Sequence, residues 1–167
     1  RWAEKALKMA EQLGLADVAA DAAMTLSRLD ERSGDPESAL RTLLRGIDTA
    51  RTAGEVAAEL RGLFSLGSIF YEDGHLAQAR SAFESAAERA RSSGRPWAPY
   101  GIDSRALAGV VAYVDGDWDA ALGIVDVAGE SPPAMSEAQL ASVWLSVHAG
   151  RGDLSAVDLL PHLRPWW

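Results

Sequence analysis

Four aspartates, Asp115, Asp117, Asp119 and Asp126, stand at the first, third, fifth and twelfth places of one window, the spacing at which a calcium loop presents its oxygen ligands. The sixth place, where such a loop turns on glycine, holds Ala120, and Ala121 falls where the surrounding pattern requires helix. Asp117 and Asp119 therefore read as an N-cap and a first-turn acid, both favoured by the helix dipole. His75, His148 and His162 are far apart in sequence and have no partner at ligand spacing; they read as a turn residue, a helix residue and a tail residue. Glu72 with Asp73, and Glu130, read as solvated helix ends. The sequence holds no G-x4-G-K-[ST] phosphate loop, no G-x-G-x2-G, no H-E-x2-H and no serine elbow. No catalytic residue, metal ligand or cofactor site is assigned, and the expectation is a binding protein, not an enzyme.

Composition narrows the partners. The 167 residues carry a net charge of −8, which opposes binding to phosphate backbones and anionic lipid. There is no Cys, so disulfides and thiolate metal sites are excluded, and no apolar run approaches the roughly 20 residues of a membrane span. A cytoplasmic setting is expected. The apolar share of 48% is carried mostly by Ala and Leu with few aromatics, which favours close-packed helices over sheets.

The elements that position these residues are read from internal repetition. Gly34, Gly74, Gly116 and Gly152 recur every 36 to 42 residues, each followed by x-(apolar or Pro)-x-x-(Ala or Val), as in Gly34-Asp35-Pro36-Glu37-Ser38-Ala39. Each glycine lies where one helical pattern stops and the next begins; three are followed by an Asp fit to cap, and Pro36 suits a first helical position. Leu60, Leu63, Phe64, Leu66, Phe70 and Tyr71 keep three-and-four spacing before Gly74, and Leu76, Ala79, Phe83, Ala86 and Ala90 keep it afterwards. Each unit is thus helix A, a tight turn and helix B, and Ala6, Ala10 and Gly14 align with Ala86, Ala90 and Gly94, so the chain opens on an unpaired helix B spanning Trp2 to Leu13.

The expected organisation is a single domain over 1–167: 1–14 the unpaired helix, 16–54, 55–94, 100–130 and 136–162 four helix pairs, and 163–167 a tail that includes Trp166 and Trp167. The prolines of Arg95-Pro96-Trp97-Ala98-Pro99 forbid continuous helix there, Ser131-Pro132-Pro133 ends the third helix B, and Pro161 stops or kinks the last. Ser136 with Gln139 is expected to form a capping box at the fourth helix A. The start at Arg1 inside a helix and the terminal Trp166-Trp167 point to a fragment of something larger.

Leu63, Leu66, Gly67, Phe70, Gly74, Leu76, Ala79, Phe83 and Ala86 closely resemble the tetratricopeptide signature. The other pairs match it more loosely, through Leu26, Gly34, Ala39 and Leu43, then Gly109, Gly116, Trp118, Ala121 and Pro133, then Trp144, Gly152 and Leu154. The fold class this implies is all-α, a right-handed superhelix of antiparallel helix pairs, a tetratricopeptide-like α-solenoid of about seven or eight helices. The long repeat period resembles the arrays of large bacterial ATP-dependent transcription activators with LuxR-type DNA-binding ends. That likeness implies the regulatory arm of such a regulator, sensing an effector or another protein; the alternative is a free-standing scaffold that assembles other proteins.

By the same resemblance the A helices line a concave wall. Its positions fall on Asp21, Met24, Arg28, Glu31 and Arg32; on Arg61, Phe64, Ser68, Tyr71 and Glu72; on Asp103, Ala106, Val110, Tyr113 and Val114; and on Gln139, Ser142 and Ser146. Arg28, Arg32, Arg61, Phe64, Tyr71 and Tyr113 combine the side-chain types that most often anchor interfaces, and they are the expected partner-binding residues, toward a protein or peptide segment or a small effector. The Lys and Asn arrangement with which some tetratricopeptide domains clamp a chaperone's C-terminal carboxylate is missing, which disfavours a chaperone adaptor.

Overall fold

The structure, a computed structural model, describes residues 2–159; the expected tail at 163–167, with Pro161, His162, Trp166 and Trp167, lies outside them. It contains α1 (Trp2–Leu13), α2 (Ala16–Arg32), α3 (Pro36–Ala53), α4 (Val56–Glu72), α5 (Leu76–Ser92), α6 (Pro99–Val114), α7 (Trp118–Val125) and α8 (Ala134–Gly150), then a 3-10 helix over Leu154–Leu159. The described residues form no strand, and the chain is an all-α succession of adjacent helix pairs.

Glycine sets the rhythm. Gly14, Gly34, Gly54, Gly74 and Gly94 fall every 20 residues, all with left-handed φ between +68° and +83°. Only glycine adopts that conformation without strain, so each helix ends where its sequence says. The residue after each glycine donates its N–H to the carbonyl five places back: Asp35 to Asp30 at 3.0 Å, Glu55 to Ala50 at 2.9 Å, His75 to Phe70 at 2.8 Å, Arg95 to Ala90 at 2.9 Å. This Schellman bond satisfies a carbonyl that the helix end would otherwise orphan. The aspartates cap as expected, Asp35 accepting from the Ser38 N–H at 3.0 Å and Asp117 from the Ala120 N–H at 3.3 Å.

Each helix packs on the next in sequence, and α2 also touches α4, α4 touches α6, and α6 touches α8. No two of the described odd-numbered helices come into comparable contact, so the even-numbered A helices form the closer, inner layer. Small residues permit the close stacking: Ala50, Ala79, Ala86 and Ala90 are fully buried. A Cβ at Gly67 would lie 2.6 Å from the Phe83 ring, and one at Gly101 would lie 2.5 Å from the Ala90 Cβ. Phe83 thus rests on bare backbone, joining Ala79, Ala108 and Val111 at the centre of the stack. At the opposite end α1 leaves Trp2, Met9 and Leu13 exposed, with the Lys5 ammonium 5.3 Å from the Trp2 ring.

Three expectations are corrected. The capping box of Ser136 and Gln139 does not form, because Pro133, in extended conformation, already starts α8 and places Ser136 in its buried first turn. The third helix B ends at Val125, ahead of the prolines expected to end it, because the Arg105 guanidinium donates to the Ile124 carbonyl at 2.7 Å and to the Asp126 carbonyl at 2.5 Å, closing the helix from the side. In place of a final α-helix the chain forms a 3-10 turn, opened by Asp153, which accepts from the Ser155 N–H at 3.0 Å.

Candidate functional site

The inner layer is tied by polar pairs at equivalent places on successive A helices. Arg61 of α4 donates to Asp21 of α2 at 2.5 Å, and Gln139 of α8 donates to Asp103 of α6 at 2.9 Å. Between them, at the α4–α6 step, the tie is aromatic: the Phe64 ring lies 5.4 Å from Tyr100 and 6.0 Å from Phe83.

The residues expected to anchor a partner fall into two groups. Arg28, Arg32 and Tyr71 reach solvent: Tyr71 is 38% exposed, the Arg28 side chain is 52% exposed and 3.8 Å from Glu31, and Arg32 makes no ion pair. Phe64 and Tyr113 are half-buried. Phe64 is held between Phe83 and Tyr100, while Tyr113 stacks on Trp118 at 5.8 Å and 18°, the indole N–H donating to the Tyr113 carbonyl at 3.1 Å. Arg61 is intermediate in exposure and spent on Asp21. Met24 and Ala106, carried onto the wall by resemblance, are buried in the core at 1% and 6% exposure, because an A helix packs on its own helix B as well as on the A helices beside it.

Between the N-terminal ends of α2, α4 and α6 the inner face opens into a cavity of about 500 Å³, lined by Asp17, Val18, Asp21, Glu55, Ala57, Ala58, Arg61 and Tyr100. It sits at the α2–α4 step, with the Asp21–Arg61 pair in its lining and Tyr100 of α6 closing one side. Sequence reasoning did not single out Asp17, Glu55 or Tyr100, and the Gly94-to-Pro99 insertion, which delays α6 and brings Tyr100 to its start, was the available signal.

The buried charge among the described residues lies elsewhere. Glu59, on α4, is 2% exposed and accepts from the Arg51 Nε of α3 at 2.9 Å and the Arg89 Nε of α5 at 2.7 Å. Burial pushes its carboxyl up, but the hydrogen bonds and charges of the two arginines outweigh this and hold it below the ordinary value of 4.5. One ion thus clamps three consecutive helices. Arg105 does comparable work at the other end: besides the two carbonyls it grips both oxygens of Glu130, at 3.0 and 2.9 Å, with the Trp97 ring 5.8 Å away. Glu130, read from sequence as a solvated end, is therefore a partner of Arg105.

The other candidates for chemistry are dispersed. Asp117 accepts from Arg80 at 2.9 Å, Asp119 from Arg151 at 2.6 Å, and Asp126 folds back onto the Ala128 N–H at 2.9 Å. No group of three or more His, Asp or Glu among the described residues is placed to hold a metal ion. His148 stacks on Trp144 at 3.8 Å and bonds through Nδ1 to Asp153 at 2.8 Å. Hydrogen bonds from Ser155 and His148 hold the Asp153 carboxyl down at about 2. No helix among the described residues is long and apolar enough to cross a membrane.

The sequence matches no protein-family model, and no curated protein matches it.

Proposed function

We propose that this chain is a non-catalytic binding module whose inner layer of A helices receives a protein or peptide segment or a small effector. The observation that carries the reading is the inner layer itself, with α2, α4, α6 and α8 in direct succession, an open cavity between three of them, and Arg28, Arg32 and Tyr71 exposed to solvent. A non-catalytic role is supported by the titratable groups, whose shifted members are committed to holding helices together: Glu59 with two arginines, Asp117 with Arg80, Asp153 with His148. The long repeats, by their resemblance to those of bacterial LuxR-type regulators, favour the arm of a larger cytoplasmic transcriptional regulator; a free-standing scaffold is the second reading.

The test is made on a partner of measured affinity. Replacing Arg32 and Tyr71 together with Ala weakens that partner by about 2 kcal/mol, roughly thirtyfold, while the melting temperature stays nearly constant, since neither side chain is core. An unaltered affinity, in a variant that folds, contradicts the assignment of the inner face.

A further inference from the structure

We propose that the cavity between the N-terminal ends of α2, α4 and α6 takes a cationic side chain, arginine or lysine, from an extended protein segment; this rests on the inner-face reading and specifies its partner. The charges of the lining complement such a side chain inside a shaped space. The lining carries three carboxylates, Asp17, Asp21 and Glu55, and one guanidinium, Arg61. Asp21 and Arg61 neutralise each other at 2.5 Å. Asp17 and Glu55 make no hydrogen bond or ion pair through their side chains, and Glu55, though at the N-cap of α4, does not use its carboxylate to cap the helix.

Two unpaired negative charges therefore face the space. The positive ends of the three helices soften this field but, at roughly half a charge each, do not cancel it. Val18, Ala57, Ala58 and the Tyr100 ring supply the apolar wall along which the aliphatic stem of arginine or lysine lies while its head reaches the carboxylates. The volume of about 500 Å³ admits one long side chain with its flanking backbone. The chain's net charge of −8 draws a basic segment toward the site.

The experiment is an amide and tyrosine NMR titration of the whole chain at about 20 mM salt, where surface charge is little screened. The probes are a capped heptapeptide of glycine and serine bearing two arginines around a central leucine, and its glutamate counterpart. The arginine peptide is expected to give saturable shifts at Val18, Ala57, Ala58 and Tyr100, and the glutamate peptide none. Asp17→Asn with Glu55→Gln weakens the arginine peptide about tenfold. Glu72→Gln with Asp73→Asn, an equal change of charge at the far end of α4, leaves it within about twofold. Equal losses in the two double variants would reduce the attraction to net charge and overturn the proposal. Saturable shifts in the cavity with the glutamate peptide alone, or no shifts with either, would overturn the cationic partner and leave the inner-face reading standing. Saturable shifts confined to α3 and α5 would overturn both.

Discussion

From α2 to α5 the chain is regular and is stabilised from within; from α6 onward it is irregular, and the loop after its short helix is held by one side chain. In the first region helices of 17 or 18 residues alternate with left-handed glycines, and alanine faces bring them close. In the second, α7 has only 8 residues, and the loop behind it hangs on Arg105. Where sequence repeats are faithful, packing is distributed over many small contacts. Where a helix is shortened, its missing carbonyl partners and contacts are replaced by a single multidentate residue, so the same stack should respond very differently to damage at its two ends.

The largest expected effect is in the regular region. Phe83→Ala removes a fully buried ring seated on the Gly67 backbone and loses about 3–5 kcal/mol in urea unfolding, because the neighbouring helices cannot collapse into the gap. A loss below about 1 kcal/mol would mean that the centre of the stack lies elsewhere.

Arg105→Ala ranks second, at about 2–3 kcal/mol, and its damage is local. The Ile124 and Asp126 carbonyls and the Glu130 carboxylate lose their donor together. Native-state hydrogen exchange should show residues 121–130 opening faster while α4 and α5 keep their protection; uniform acceleration along the chain would erase the distinction between the two regions.

The smallest effect belongs to Glu59 and is read through pH. Its folded carboxyl lies below the ordinary value of 4.5, so its ion triad stabilises the fold above that pH and is lost as pH falls through the folded value. Glu59→Gln costs about 1.5–2 kcal/mol at neutral pH, less than a fully buried pair would, because Arg51 and Arg89 can turn toward solvent. The variant should also lose less stability than the parent between neutral pH and the acid limb below 4.5. Parallel stability curves for the two proteins would show that the triad contributes nothing to acid sensitivity.

The helix ends were legible in sequence because a left-handed turn demands glycine whatever the surroundings, and Gly34, Gly74, Gly116 and Gly152 mark turns by residue type alone. The interior of the A helices was not. Phe64 and Tyr71 lie two turns apart on the same expected wall, yet one packs between Phe83 and Tyr100 and the other reaches solvent, a difference set by what the next pair brings alongside. Glu59 carries no signal along the chain, since Arg51 and Arg89 lie eight and thirty residues away and meet it only when three helices stack. Gln139 suggested a cap by spacing but is used laterally, on Asp103. Caps and turns are local and can be read along the chain; ion clamps and cavity linings are properties of the stack.

The claim that the inner layer is the working surface is tested most directly by hydroxyl-radical footprinting of the chain alone and with its partner. Tyr71, exposed on α4, should be protected in the complex, while Trp2, Met9 and Leu44 on the B helices α1 and α3 keep their reactivity. Protection of Trp2, Met9 or Leu44 with Tyr71 unchanged would contradict the account and move the binding surface to the outer layer.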